Sequence, residues 1–334
     1  MHQYFATFVA GTQDIILRQL KKVPIERLKV TYIDDGLVVF DASFPPERIV
    51  DFRFFNNTFL LLKDFGEKPS NTLDRLAAGL LREKLQVNGT LDRLTAGKAP
   101  RLAVVQENQP VPLANHKALE QHLARQLRVG GRAVAQFQLV VRRSGRGLFG
   151  VRLARPLFKR VHRPDGALRP ELVHILCLVA NVTGKDTVLD PFAGYGTVID
   201  ECLQGFHVRR VIGVEKDAER YSQLKRNIRS DNAQILHGSA TDLDLEAASI
   251  NKVITDPPWG LYDTTGQQEL QHLYRRSLSE IERVLKPGGV LVLLSGNDGL
   301  NHAAETTSDL ELLKTYPVLV SGKKAIILKL RKKM

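Results

Sequence analysis

From residue 187 onward the chain alternates short apolar runs with amphipathic stretches, and that rhythm narrows its fold more than any other feature. The runs "TVLDPF" (187–192), "RRVIGVE" (209–215), "AQILHGS" (233–239), "NKVITDPP" (251–258) and "GGVLVLLS" (288–295) read as strands. Helical patterns lie ahead of them and between them. "ELVHILCLVANV" places Leu172, Ile175, Leu176 and Val179 on one face, and "DAERYSQLKRNIRSDN" turns Tyr221, Leu224 and Ile228 inward with Lys225, Arg226 and Arg229 outward. Strands that are apolar on both faces need helices over both faces, so the pattern predicts a parallel α/β sheet. The tail "LELLKTYPVLVSGKKAIILKLRKK" differs: two β-rich runs flank "SGKK", a hairpin signal. The expectation is a parallel sheet finished by an antiparallel hairpin.

The first half lacks that rhythm. Short strands ("LKVTYI", "GLVVFDA", "RLAVVQE", "FQLVVRRS", "LFGVRLA") surround two helices, one near 71–86 with Leu73, Leu76, Leu80 and Leu81, the other near 115–128 with Leu119, Leu123 and Leu127. This reads as one or two small α+β modules. The stretch "ARPLFKRVHRPDGALRP" (154–170) combines cations with three prolines and a glycine, and it is the candidate linker. The chain is thus divided into 1–65, 66–155, a basic linker 156–169 and a sheet domain 170–334.

With 48 Lys and Arg against 36 Asp and Glu, the formal charge is +12. Such an excess favours a polyanionic partner, nucleic acid first, over a small acidic metabolite. The two cysteines, Cys177 and Cys202, offer neither a metal-binding spacing nor a disulfide framework, and they read as core residues of a reducing compartment. The N-terminus lacks a signal-peptide pattern and no apolar run approaches a membrane span, so a cytoplasmic location is expected. No metal is expected.

The chemistry-bearing residues fall at the predicted strand ends. In "LDPFAGYGT", Asp190 closes the first strand, and Gly194 and Gly196 let the backbone turn sharply and approach a ligand. The spacing lacks the third glycine of dinucleotide sites, and a carboxylate before the loop would repel a pyrophosphate. It suits a ligand carrying an amine and a sulfonium. Glu215 ends the second strand, where an acid can accept two ribose hydroxyls. "HGSATD" (237–242) ends the third. At "TDPPWG" (255–260) an acid, two prolines and the only tryptophan stand together at the end of the fourth. Two prolines remove two donors and stiffen the chain, so this turn presents carbonyls and side chains outward.

These residues resemble the class I S-adenosylmethionine-dependent methyltransferases, with a D-x-x-x-G-x-G loop and an acid after the second strand. The resemblance implies a Rossmann-like fold, a mostly parallel seven-stranded sheet with a C-terminal antiparallel hairpin, preceded by an α+β RNA-binding region. By the same resemblance Gly194, Gly196 and Thr197 line the methionine part of the cofactor, Glu215 meets the ribose, the 239–242 segment with Ser239, Ala240 and Asp242 faces the adenine, and Asp190, Pro191, Ala193 and Lys216 are further cofactor-binding residues. Family members often carry an acid where Ser239 stands, so the choice between Ser239 and Asp242 stays open.

Asp256, Pro257, Pro258 and Trp259 resemble the D/N-P-P-Y/W signature of methyltransferases that modify an exocyclic amine of a base. The lone pair of such an amine is delocalised into the ring. Acceptors on its hydrogens, here the Asp256 carboxylate and the Pro257 carbonyl, would turn that lone pair toward the methyl donor. Trp259 would stack on the base, and Asp256 would also border the cofactor. The order of parts resembles the THUMP-containing RNA methyltransferases: a ferredoxin-like module over 1–65, a THUMP-like domain over 66–155, then the catalytic domain. The implied substrate is structured RNA, tRNA first, methylated at guanine N2. Ribosomal RNA guanine-N2 and adenine-N6 activity are alternatives, as is an RNA-binding protein or chaperone with a silent methyltransferase fold. Arg142, Arg143, Arg146, Arg152, Arg155, Lys159, Arg160 and Arg163 are the candidate phosphate contacts.

Overall fold

A computed structural model describes residues 1–85, 89–107, 109–127, 131–153, 167–260 and 266–334. The chain divides into two units, Met1–Thr7 with Leu20–Pro156, and Phe8–Gln19 with Leu157–Met334. In chain order the first 153 residues form β1 (His2–Thr7), α1 (Gln13–Leu20), β2 (Leu28–Asp34), β3 (Leu37–Ala42), α2 (Pro46–Ile49), β4 (Asn57–Glu67), α3 (Leu73–Arg82) and α4 (Gly89–Thr95). They continue with β5 (Lys98–Gln106), β6 (Gln109–Pro110), α5 (His116–Leu127), β7 (Ala133–Val141) and β8 (Arg146–Arg152).

All eight strands of the first unit belong to one sheet, ordered β2-β3-β1-β4-β8-β7-β5-β6. Its register sets Phe5 beside Val39 and Phe59. The Phe5 and Phe59 rings stack at 4.5 Å, inside a buried cluster with Leu37, Leu61, Val140 and Leu148. The boundary expected at residue 65 therefore falls within β4. That strand pairs with β1 on one side and β8 on the other, which joins the two expected modules into one sheet. Most of the expected linker lies outside the described residues, which resume at 167.

The second unit contains α6 (Pro170–Ala180), β9 (Thr187–Asp190), α7 (Thr197–Gly205), β10 (Arg210–Glu215), α8 (Ala218–Asn227), β11 (Ala233–His237) and β12 (Ile250–Thr255). It ends with α9 (Gln267–Val284), β13 (Leu285–Ser295), α10 (Asp298–Glu305), β14 (Leu310–Val320) and β15 (Lys323–Lys332). The sheet runs β11-β10-β9-β12-β13-β15-β14. The first five strands of that order are mutually parallel, and β15 and β14 close it as an antiparallel hairpin. This is the Rossmann-like arrangement anticipated from the alternating runs. From β9 the chain winds outward through β10 to β11, then returns to β12 on the opposite side of β9. Ligands of open α/β sheets bind beyond the strand ends at such a reversal.

One helix departs from its expected amphipathic reading. Besides Leu172, Ile175, Leu176 and Val179, α6 also buries Val173, His174 and Cys177, because it is wedged between α7 and strands β12, β13 and β15. Cys177 meets Cys202 of α7 at 3.9 Å between sulfurs, and both thiols are free and buried. His174 meets the buried Glu201 carboxylate at 2.6 Å. Among the described residues no helix is long and apolar enough to cross a membrane.

Candidate active site

The carboxyl ends of β9, β10 and β12 converge. Asp190, the last residue of β9, is buried and accepts from the Thr255 hydroxyl of β12 at 2.8 Å and from the Phe192 amide at 3.1 Å. Glu215, the last residue of β10, is also buried. One of its oxygens accepts from the Gly194 amide at 2.8 Å, the other from the Asp217 amide at 2.9 Å. Each carboxylate oxygen has a further lone pair, so Glu215 can hold two loops and still accept from a ligand. Asp217 then caps α8 by accepting from the Arg220 amide at 2.8 Å.

The two loop glycines face different surroundings. A Cβ on Gly194 (φ +52°) would meet only the Phe192 carbonyl, at 3.8 Å. A Cβ on Gly196 (φ +80°) would fall 2.2 Å from Leu224 Cδ1 and 2.9 Å from Ile228 Cδ1. Gly194 thus borders open space, while Gly196 is needed for the close packing of α8 on the loop. Pro191 and Ala193 are buried beneath the loop, Thr197 opens α7, and Lys216 is exposed beyond Glu215.

In the 237–242 segment, Ser239 and Asp242 form an isolated bridge, Ser239 Oγ lies 2.8 Å from Thr241 Oγ1, Ala240 is buried and Asp242 is exposed. The next residues are clamped from α9: Arg283 donates to the Leu243 and Leu245 carbonyls at 2.8 Å, and Glu280 accepts from the Leu243 amide at 2.8 Å.

Asp256 follows β12 directly and lies close enough to Asp190 to sense its charge. The loop after it is held at two carbonyls: Tyr274 Oη donates to Pro258 O at 2.6 Å and Asn297 Nδ2 donates to Trp259 O at 3.0 Å. The Trp259 indole N–H donates to Asp256 Oδ1 at 2.8 Å, and the indole lies on Gly296. Thr255, Tyr274, Gly296 and Asn297 were missed in the sequence. Only Asn297 carried a signal there, as an N-cap residue opening α10.

Burial pushes the Asp190 carboxyl up to about 7, with Glu215 adding to the rise and the Thr255 and Phe192 bonds opposing it. Burial likewise pushes Asp256 up to about 7, Asp190 adding and the Trp259 bond opposing. Folded Asp190 keeps a proton that the unfolded chain releases near 4. Its contribution to stability is therefore full below about pH 4 and is lost as pH rises through about 7, by about 4 kcal/mol at most. Urea unfolding of the ligand-free protein at pH 5 and pH 8 should show that loss together with the one from Asp256, and Asp190→Asn should remove its own share.

The candidate phosphate contacts divide. Arg142 is buried; it reaches Asp34 at 3.3 Å and the Asp35 carbonyl at 2.5 Å, so it ties β7 to the β2–β3 turn and is withdrawn from any phosphate. Arg146 pairs with Asp64 and lies 4.4 Å over the Tyr32 ring. Arg152 bonds Gln136 and Asn57 and remains exposed, and Arg143 is exposed at 3.9 Å from Glu107. Arg155, Lys159, Arg160 and Arg163 lie outside the described residues.

A family described as "RMKL-like, methyltransferase domain" matches residues 158–325, half of the chain. The tRNA (guanine(10)-N2)-dimethyltransferase of Methanothermobacter thermautotrophicus is 28% identical over 143 residues, 42% of this chain and 41% of that protein. The U6 snRNA (guanine-N(2))-methyltransferase THUMPD2 of Mus musculus is 30% identical over 161 residues, 47% of this chain and 30% of that protein. The chain spans less than half the length of either of these two curated relatives. The crystal structure of TrmN from Thermus thermophilus superposes with a TM-score of 0.78 at 21% identity, covering 99% of this chain and 100% of that one, which establishes the fold along the whole length.

Proposed function

This chain belongs to the family of RMKL-like methyltransferase domains, and from that premise we propose that it methylates the N2 amine of a guanine in a structured RNA, tRNA first, with S-adenosylmethionine as donor. The observation that carries the reading is the bond from Thr255 to Asp190, which ties the tip carrying the DPPW turn to the tip carrying the glycine loop. The residues suit that cofactor: Gly194 opens toward free space, Glu215 retains lone pairs for a diol, and a cation bound beside the buried Asp190 would favour its ionised form. When bound, S-adenosylmethionine supplies an electrophilic methyl group on a sulfonium.

The chain's own residues do the rest. The Asp256 carboxylate and the Pro257 carbonyl accept from the two amine hydrogens and turn the nitrogen lone pair toward the methyl. Tyr274 and Asn297 pin the turn so that this geometry costs no reorganisation during reaction. After transfer the nitrogen sheds a proton, and an Asp256 oxygen that titrates at about 7 is matched to receive it. Asp256 must be ionised to accept, so the rate should rise with pH and level off above about 7. A pH profile of single-turnover methyl transfer measures this; a rate that is flat from pH 5.5 to 8 would count against the role.

The first unit is assigned the RNA grip, with the exposed Arg143 and Arg152 as phosphate contacts. Incubation with labelled S-adenosylmethionine and separate RNA pools, followed by nucleoside mass spectrometry, tests the whole reading. N2-methylguanosine in tRNA is the expected product. N6-methyladenosine would replace the base assignment, and RNA binding without transfer would indicate a binding protein.

A further inference from the structure

The single tryptophan was expected to serve as a stacking plate, yet its polar edge is already engaged. Its N–H lies on Asp256 Oδ1 at 2.8 Å, its carbonyl is held by Asn297, and its ring occupies space that only a glycine at 296 leaves open. A Cβ on Gly296 would stand 2.3 Å from the indole Cε3. Gly296 is not among the glycines with positive φ, so its requirement is steric.

An aspartate χ2 torsion is broad, and a free carboxylate would swing through it. An indole N–H is a donor only, whereas a phenol could also accept from a protonated acid. We propose that Trp259 is a positioning residue: its N–H fixes the Asp256 carboxylate in an accepting orientation, and Gly296 provides the seat for its ring. This rests on the role assigned to Asp256 above. Burial and Asp190 both push the Asp256 carboxyl up, and the Trp259 bond opposes them.

Because the chain has one tryptophan, intrinsic fluorescence reports on this contact without any substrate. The free protein should show a fluorescence titration centred near pH 7 that disappears in Asp256→Asn. A flat trace, or a step that persists in Asp256→Asn, overturns the contact. In the transfer assay, Trp259→Phe keeps a flat ring and loses the donor. It should lower the rate at pH 7 about tenfold and move the acid limb to higher pH by about one unit, with the RNA KM changed less than about twofold. Gly296→Ala should do the same by unseating the ring. A raised KM with an unmoved limb would mean that Trp259 only stacks. If the wild type transfers no methyl while the fluorescence step is present, the functional reading fails and the positioning contact stands.

A separate observation concerns charge on the α6 side of the second sheet. The register places Lys314 of β14 directly across from Lys329 of β15, and Lys329 beside Val292 of β13, itself beside Ile254 of β12. Lys252 points to the same face one alternation earlier, and Arg18 of α1 joins them through Asp14, which Lys314 also contacts. With the Asn181 amide turned so that both its atoms are satisfied, its oxygen accepts from Lys329 Nζ at 3.2 Å. Like charges directly opposite on neighbouring strands destabilise a sheet. Burial and the three neighbouring cations push the Lys329 ammonium below its usual range.

We infer that Arg18, Lys252, Lys314 and Lys329 form a site for backbone phosphates of the RNA, remote from the converging strand ends. Fluorescence anisotropy with a tRNA pool between 50 and about 300 mM KCl is the test. Changing Lys252 and Lys329 together to Gln should reduce the slope of log affinity against log salt by about one to two and weaken binding about tenfold. The melting temperature should not fall, because a repulsive pair is relieved. A matched change of the exposed Lys185 and Arg226 to Gln is the control. An unchanged slope, or a loss equal to the control's, overturns the site. Absence of salt-dependent binding by the wild type would instead refute the RNA reading itself.

Discussion

Asp256→Asn is expected to abolish methyl transfer while leaving the protein folded and the cofactor bound. The substitution keeps the shape but exchanges one accepting oxygen for a donating amide. Trp259 N–H would hold the remaining oxygen, and the new NH2 would then face the amine of the base, donor against donor. Loss of one preorganised electrostatic contact to a reacting group costs roughly 100- to 1,000-fold. Single-turnover assays measure the rate, and calorimetry should find cofactor affinity within about threefold of wild type, since a lost contact remote from the cofactor's bulk costs under about 1 kcal/mol. Turnover near the wild-type rate would remove Asp256 from the mechanism.

Substitution of the two loop glycines should separate binding from folding. Gly196→Val places carbon within 2.2 Å of Leu224 and demands a left-handed φ of +80° from a β-branched residue. The loop cannot accommodate both, and a loss of more than about 3 kcal/mol is expected, read as a large drop in melting temperature or as failure to fold. Gly194→Val is strained by about 1–2 kcal/mol at φ +52°, but its Cβ meets only the Phe192 carbonyl, at an ordinary contact distance of 3.8 Å. It should fold, and its side chain should stand where the cofactor's methionine end is assigned, lowering affinity at least about 100-fold by calorimetry, as an overpacked contact does. Normal cofactor binding by a folded Gly194→Val protein would move the ligand away from this loop.

The second sheet was legible because its strands are apolar on both faces and end in turn residues, so that period and punctuation agree. The loop acids were legible for the same reason: a carboxylate that closes an apolar run, as at Asp190 and Glu215, marks the strand tip. Other features depend on distant partners. Strand β4 hides in "NTFLLLKDFGE", where aromatic and charged residues alternate irregularly, and only its pairing with β1 and β8 defines it. Arg142 looks like a surface cation until Asp34, 108 residues earlier, is seen beside it. Trp259 reads in the sequence as a stacking ring, because nothing local connects it to a glycine 37 positions on. The fit of α8 against Gly196 is likewise a three-dimensional fact that spacing alone cannot carry.

Residues 8–19 belong to the second unit although nearly all of the first unit separates them from the rest of it along the chain. Asp14 meets Lys314, 300 positions later, and the Pro317 carbonyl lies where a side chain on Gly11 would be. Closing so long a loop adds little to the equilibrium cost, yet it delays assembly until the last hairpin has emerged. A fragment cut at the basic stretch would be born without its own first helix, with the bare flank of the hairpin open to aggregation. Supplying residues 1–20 as a separate peptide should restore its solubility.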